Sequence, residues 1–341
     1  MTTVFEEEIR SQGEILRRRA EVGSEQARLV SETWNNINYV LVAARGSSDN
    51  AAIFFQYLAG QELGLLVALA TPSLYEGDRP IGLRGAGVLA ISQSGRTPGL
   101  VQVIEQALSQ DRPNAALTND TSSPLAKASE LIIDLGAGPE RAIASTKTFS
   151  TAWHALAQLV AALKGEPLEG LDELPNTVDR VATWALASSF PTSLLNVEGG
   201  ITVVGRGVGQ AVAAEIALKI REVTGIRSEA YSAPDYLHGP IGADGEGSTL
   251  LLVVTDEMTD SVSAELLEES RRFGMRTVVL RPPDRSTVPC DGEIVLAESM
   301  PNWCLGLGEV IVGQVLALRI GQLRGRPIDT SPGLNKITLS A

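Results

Sequence analysis

The residues best suited to chemistry in this 341-residue chain are a run of small polar groups, Ser92-Gln93-Ser94-Gly95-Arg96-Thr97, that interrupts an apolar stretch. Residues 87–91 read as a buried strand and Thr97 onward as a helix, so Ser92, Ser94 and Thr97 fall in a strand-to-helix turn. Gly95 permits a tight backbone turn, and the first N–H groups of the helix lack intrahelical acceptors. The partial positive charge at a helix N-terminus favours an anion. Hydroxyls and amides, rather than a lysine, would cradle a phosphate here. The same residues would also serve as an ordinary N-cap.

Two further turns carry hydroxyls. Gly46-Ser47-Ser48 follows a strand at residues 39–44, and Ala144-Ser145-Thr146-Lys147 opens a long helix over 145–163. Open α/β sheets bind ligands above the C-terminal ends of their strands. Ser48, Ser92, Gln93, Ser94 and Thr97 would therefore meet in one crevice, which Ser145 could close; a plain N-cap with a solvated Lys147 is the alternative. Glu215, Lys219 and Glu222, at offsets of four and three, share one helix face. A surface ion-pair ladder worth about 0.3 kcal/mol per pair would look the same. That helix follows the first strand of the chain's second half, which would put its start on the functional edge of a sheet. Of the two histidines, His154 sits beside Trp153 in mid-helix and is expected to be packed. His238 lies in Tyr236-Leu237-His238-Gly239-Pro240, a loop where a titratable ring has reason to act. Lys336 is the only lysine of residues 326–341 and is otherwise a solvated terminal cation.

The elements that must position these groups alternate strand and helix. Residues 5–29 form a helical stretch, and residues 1–34 an N-terminal arm. Strands at 39–44, 65–70, 87–91, 114–117 and 131–134, with helices between them, give a first domain at 35–170 with a five-stranded parallel sheet. After a polar linker at 165–176 the pattern restarts in a second domain, 190–325, with strands at 201–205, 250–254, 277–280 and 293–296 and helices at 210–224 and 302–323. Setting Arg45-Gly46 on Arg206-Gly207 brings Ser92 opposite Thr255, within two residues of perfect register, which points to an internal duplication. The second copy reads Thr255-Asp256-Glu257-Met258, whose acids would repel phosphate, so the first copy alone is expected to bind it. Residues 326–341 show no core periodicity and form a tail that either frays or does chemistry.

The formal net charge of −13 disfavours nucleic acid or an anionic membrane as partner. Cys290 and Cys304 lack metal-type spacing and are expected to be reduced. The acidic start is no signal peptide, and no apolar run approaches the ~20 residues of a membrane span, so a cytoplasmic protein is expected. No ligand cluster for a metal or an organic cofactor is visible.

Taken in order, Glu7-Glu8-Ile9, Ile91-Ser92-Gln93-Ser94-Gly95, Ala144-Ser145-Thr146-Lys147, Glu229-Ala230-Tyr231, Leu237-His238-Gly239-Pro240 and Lys336 resemble the SIS (sugar isomerase) family over nearly the whole chain. More narrowly, they are similar to the isomerase half of glucosamine-6-phosphate synthase and its stand-alone deaminase and deglycase relatives. The resemblance implies an α/β fold of two tandem doubly wound SIS domains, each a five-stranded parallel sheet flanked by helices. It implies that Ser48, Ser92, Gln93, Ser94 and Thr97 hold a 6-phosphate and neighbouring hydroxyls. Glu222 would move a proton between C1 and C2, with Lys219 beside it. His238 would open the sugar ring from a partner subunit of a homodimer, and Lys336 would form a Schiff base with the ketose. The implied activity is conversion of an amino-sugar phosphate, glucosamine 6-phosphate, to fructose 6-phosphate and ammonia without a cofactor. A deglycase, a simple phosphosugar isomerase and a non-catalytic sugar-phosphate sensor are the alternatives. A sensor would need the hydroxyl loop but not Glu222, His238 and Lys336, and no basic DNA-binding stretch is present. The chain departs from the synthase at Arg45 (Cys there), Arg96 (Glu), Leu237 (Lys) and in the tail Pro332-Gly333-Leu334-Asn335-Lys336. The glutaminase half has no counterpart, so glutamine is not expected as nitrogen source.

Overall fold

The structure, a computed structural model, describes residues 2–77, 79–188, 198–255, 260–286 and 288–330. In chain order the first elements are α1 (Val4–Arg10), α2 (Gln12–Thr33), β1 (Tyr39–Ala43), α3 (Ser47–Leu63), β2 (Leu66–Leu69), β3 (Ala86–Ser92) and α4 (Leu100–Leu108). Next come β4 (Asn114–Thr118), α5 (Pro124–Ala128), β5 (Leu131–Asp134), α6 (Lys147–Lys164) and α7 (Leu174–Ala187). The remainder are β6 (Ile201–Gly205), α8 (Val208–Thr224), β7 (Ser228–Ser232), α9 (Ala233–Leu237), β8 (Thr249–Val253), α10 (Asp260–Arg272), β9 (Arg276–Arg281), β10 (Gly292–Val295) and α11 (Asn302–Leu323).

The chain divides into two compact units. The N-terminal unit comprises Gln12–Glu140 and Ser145–Pro175; the C-terminal unit takes the residues up to Ser11, Arg141–Ala144 and the described residues from Asn176 on. Each holds one five-stranded sheet with every pair parallel. The orders are β2-β1-β3-β4-β5 and β7-β6-β8-β9-β10, the same path traced twice. The central strands are buried on both faces, which is why they read as continuous apolar runs. In the N-terminal unit, α3 and α6 meet through Phe54 stacked on Trp153, ring centroids 3.6 Å apart.

The duplication extends to backbone detail. Gly46 (φ 62°, ψ −133°) precedes α3 and Gly207 (φ 58°, ψ −131°) precedes α8; both helices run 17 residues and end on a left-handed glycine, Gly64 and Gly225. A positive φ at all four positions favours glycine. The ladders refine the alignment. Ala43 pairs with Ala90, and its counterpart Val204 pairs with Leu252, so the residue opposite Ser92 is the apolar Val254 rather than Thr255.

Other differences have local causes. Helix α4 starts at Leu100, not Thr97, because the residue before Pro98 is biased away from the helical region and Gly99 adopts φ 82°. Strand β7 escapes the apolar pattern because Ser-Glu-Ala-Tyr-Ser lies on a sheet edge and only Ser228 is fully buried. The N-terminal arm breaks at Ser11, placing α1 in one unit and α2 in the other. The Asp329 carboxylate accepts the N–H groups of Val4 and Phe5 at 3.0 and 2.9 Å, and the buried Glu8 accepts those of Arg141 and Ala142. The expectation that no apolar run reaches membrane-span length is corrected by α11. It is 22 residues long and apolar enough to cross a bilayer, but its apolar window is 94% buried within the protein. A helix packed on all sides is apolar on all sides.

Candidate active site

In the N-terminal unit the strand order reverses between β1 and β3, the switch point where sheets of this order open a crevice above their C-terminal ends. Ser48 lies in the first turn of α3, after β1, and Ser92 ends β3. Ser92 Oγ accepts the N–H of Gly95 at 3.1 Å and lies 2.8 Å from Thr97 Oγ1. Ser94 Oγ accepts the N–H of Arg96 at 3.3 Å. The N–H groups of Ser94 and Thr97 donate to nothing among the described residues. Two hydroxyls, tied to each other, and two open amides therefore ring one short loop. The open amides lie in this loop rather than in the first turn of α4. An anion with several acceptor oxygens would satisfy them.

The loop is held from behind. A Cβ on Gly95 (φ 61°) would lie 2.0 Å from Ser123 Oγ and 3.0 Å from Thr118 Oγ1, so only glycine fits. The N–H of Asn119 donates to the carbonyl of Gln93 at 3.1 Å. Its side chain accepts from the N–H of Ala137 and donates to the carbonyl of Gly138, both at 2.9 Å. Asn119 thus couples the hydroxyl loop to the segment leading into α6. Arg96 pairs with Asp120 at 3.1 Å across an exposed surface. Hydrogen bonds from Ser122, helped by Arg96, hold the Asp120 carboxyl below its usual range. The carboxyl of Asp49, beside Ser48, is raised by burial, against the pull of Arg45. Ser145 lies 3.2 Å from Glu140 Oε2 and 2.7 Å from Thr148 Oγ1. Ser48, the 92–97 loop and Ser145 therefore all follow C-terminal strand ends of one sheet.

In the C-terminal unit, Glu215 and Lys219 lie on the buried stripe of α8 together with Ile216, Ile220 and Val223. This excludes the surface ladder. Lys219 Nζ donates to Glu222 Oε2 at 2.5 Å and lies 3.4 Å from Glu215 Oε1. The Glu222 side chain is 25% exposed, and its Oε1 has no hydrogen-bond partner among the described residues. Helix α8 starts at the C-terminal edge of the sheet and runs back antiparallel to β6, so Glu222 lies about 20 Å along it, towards the opposite edge.

His238 is exposed and caps the C-terminus of α9, its N–H donating to the carbonyl of Pro234 at 3.1 Å. Its turn is pinned on both sides: Tyr236 Oη and Thr202 Oγ1 of β6 each donate to Asp244 Oδ2 at 2.7 Å. Burial is the main reason the Tyr236 phenol is pushed up. His154 is buried; burial first, then Arg19, lowers its pKa to about 3. Lys336 lies outside the described residues. Among the described residues no group of three His, Cys, Asp or Glu side chains could hold a metal.

Sequence reasoning passed over Asn119 and Glu140. The available signal was position: Asn119 lies two residues past the predicted strand at 114–117, and Glu140 lies between β5 and the Ser145 turn.

Comparisons with known proteins agree with this architecture. The SIS domain family matches residues 35–162 and 194–289. An isomerizing glutamine–fructose-6-phosphate aminotransferase from Sulfurisphaera tokodaii is 30% identical over 308 residues, covering 90% of this chain and 51% of that protein. Its counterpart from Streptomyces coelicolor is 26% identical over 329 residues, 92% of this chain and 53% of that one. The chain spans about half the length of these curated relatives. Among solved structures, a candidate phosphosugar isomerase from Silicibacter pomeroyi superposes with TM-score 0.84 at 28% identity, covering 96% of this chain and 99% of that one. Glucosamine-6-phosphate deaminase from Thermotoga maritima shares the fold, with TM-score 0.78 at 22% identity over 98% of this chain and 99% of that one.

Proposed function

Because the chain belongs to the SIS-domain family, we propose that it is a phosphosugar enzyme that isomerises and deaminates an amino-sugar phosphate, turning glucosamine 6-phosphate into fructose 6-phosphate and ammonia. The observation that carries this reading is the loop at the β1/β3 switch point, where hydroxyls and open amides converge without a lysine. The names of the curated relatives support a ketose 6-phosphate at one end of the reaction.

In this reading Ser48, Ser92, Gln93, Ser94 and Thr97 grip the phosphate. His238 opens the ring by moving a proton from the anomeric hydroxyl to the ring oxygen, and it reaches the site from a second copy of the chain. Glu222 Oε1 takes the C2 proton of the open-chain aldehyde, leaving an enol-amine, and returns a proton to C1. Lys219 holds the other carboxylate oxygen through this exchange. The resulting C2 imine adds water and loses ammonia to give the ketone, and Lys336 can relay it as a Schiff base. One base serving two neighbouring carbons needs no cofactor. A cytoplasmic homodimer is part of this proposal.

A simple aldose–ketose phosphosugar isomerase is the second reading, favoured by the Silicibacter pomeroyi structure. It uses the same proton transfer on a substrate without the amine. The test is release of ammonia and ketose phosphate across a panel of hexose and hexosamine 6-phosphates. Ammonia released stoichiometrically with fructose 6-phosphate is the expected result. Isomerisation without ammonia would select the second reading. Phosphate-free sugars binding as well as their 6-phosphates would overturn both.

A further inference from the structure

Glu140 is buried in the loop between β5 and α6. Its Oε1 accepts the N–H of Thr146 at 2.8 Å and of Thr148 at 3.1 Å. It thereby caps α6, whose own N-cap side chain makes no cap bond. Its Oε2 lies 2.5 Å from Thr148 Oγ1 and 3.2 Å from Ser145 Oγ, and the two hydroxyls are 2.7 Å apart.

Two backbone N–H donors on Oε1 favour Glu140 as a carboxylate, and in that form a proton count gives the direction of each bond. A carboxylate has none to give and a hydroxyl has one. Oxygens 2.5 Å apart need a proton between them, and at Glu140 Oε2 that proton is Thr148's. Thr148 Oγ1 is then the acceptor at the 2.7 Å contact, so the proton there belongs to Ser145. If Ser145 shares it with Glu140 Oε2, it is still spent inside the cluster. Ser145 is half-buried, and for any further partner its Oγ has lone pairs only.

We propose that Glu140 is a positioning residue that fixes Ser145 as a hydrogen-bond acceptor, so that Ser145 takes a hydroxyl or amino N–H of the sugar and has no proton for a phosphate oxygen. This rests on the reading that Ser145 faces the substrate. It divides the work on one sheet edge: the 92–97 loop donates to the anion, and Ser145 accepts from the carbohydrate.

The experiment measures binding of inorganic phosphate and of fructose 6-phosphate to the full chain, to Ser145→Ala, to Glu140→Gln and to the double variant. A glutamine would keep its carbonyl on the two backbone N–H groups and turn its NH2 on Ser145, reversing the polarity. Each single variant is expected to weaken fructose 6-phosphate about five- to twentyfold and to change phosphate affinity less than about twofold. Glu140→Gln should cost nothing further in the Ser145→Ala background, where a merely structural role would still cost affinity. Should Glu140→Gln fail to fold, fluoro and deoxy analogues of fructose 6-phosphate test the wild type directly. At the hydroxyl whose loss Ser145→Ala makes harmless, fluorine, which only accepts, should bind as weakly as hydrogen. Tight binding of that fluoro analogue, multiplying losses in the double variant, or Ser145→Ala weakening phosphate as much as the sugar phosphate would each overturn the inference alone. Failure of the unmutated chain to bind either ligand would overturn the proposed function and this inference with it.

Discussion

The backbone N–H of Asn119 donates to the carbonyl of Gln93 at 3.1 Å, so the loop after β4 braces the hydroxyl loop after β3. Asn119→Ala would keep that bond but leave Ala137 N–H and the Gly138 carbonyl without the side chain. A loss of about 1–3 kcal/mol is expected from two unmet backbone groups. Denaturant unfolding measures it, and sugar-phosphate affinity should fall alongside.

Gly95→Ala meets two obstacles, a positive φ and a Cβ placed 2.0 Å from Ser123 Oγ. The expected result is at least about 1 kcal/mol of destabilisation with a distorted loop and weakened phosphate binding. An Ala variant of unchanged stability and phosphate affinity would show that the loop adapts freely. Ser94→Ala and Thr97→Ala should instead keep the fold and lose phosphorylated ligands selectively.

Lys219→Met removes the cation between two carboxylates, one of them the fully buried Glu215. Breaking a buried pair from one side costs about 3–5 kcal/mol, which a shift in the unfolding midpoint will show. Glu222→Gln keeps a hydrogen-bonding oxygen for Lys219. It should fold, bind sugar phosphate and lose turnover; equal loss of binding would make Glu222 structural.

His154 gives the stability curve a defined acid limb. Its folded pKa of about 3 lies below the ordinary 6.5, so in that window the unfolded chain binds the extra proton. Stability is therefore present above about pH 6.5 and lost as pH falls towards 3, by up to about 1.4 kcal/mol per unit. His154→Gln should flatten this limb by about one proton, read from urea unfolding at a series of pH values.

Much of the fold was legible because its signals are local. Buried parallel strands appear as apolar runs, and the paired Arg45-Gly46 and Arg206-Gly207 announce the duplication through a turn that only glycine makes easily. The Ser92–Thr97 loop was legible for the same reason: its residues bond mainly to one another. Strand β7 was not, because Ser-Glu-Ala-Tyr-Ser carries no apolar run and only Ser228 is fully buried.

By itself the sequence determined the two copies, the hydroxyl loop and the pairing of Lys219 with Glu222, all set by spacing along the chain. Tertiary structure alone decided that Val254 takes Ser92's place in the second copy, that Glu215 and Lys219 are buried, and that Glu140 and Asn119 hydrogen-bond the segments leading into α6. These depend on where strands dock and loops meet, and a polar side chain's role follows from the donors and acceptors that packing brings to it.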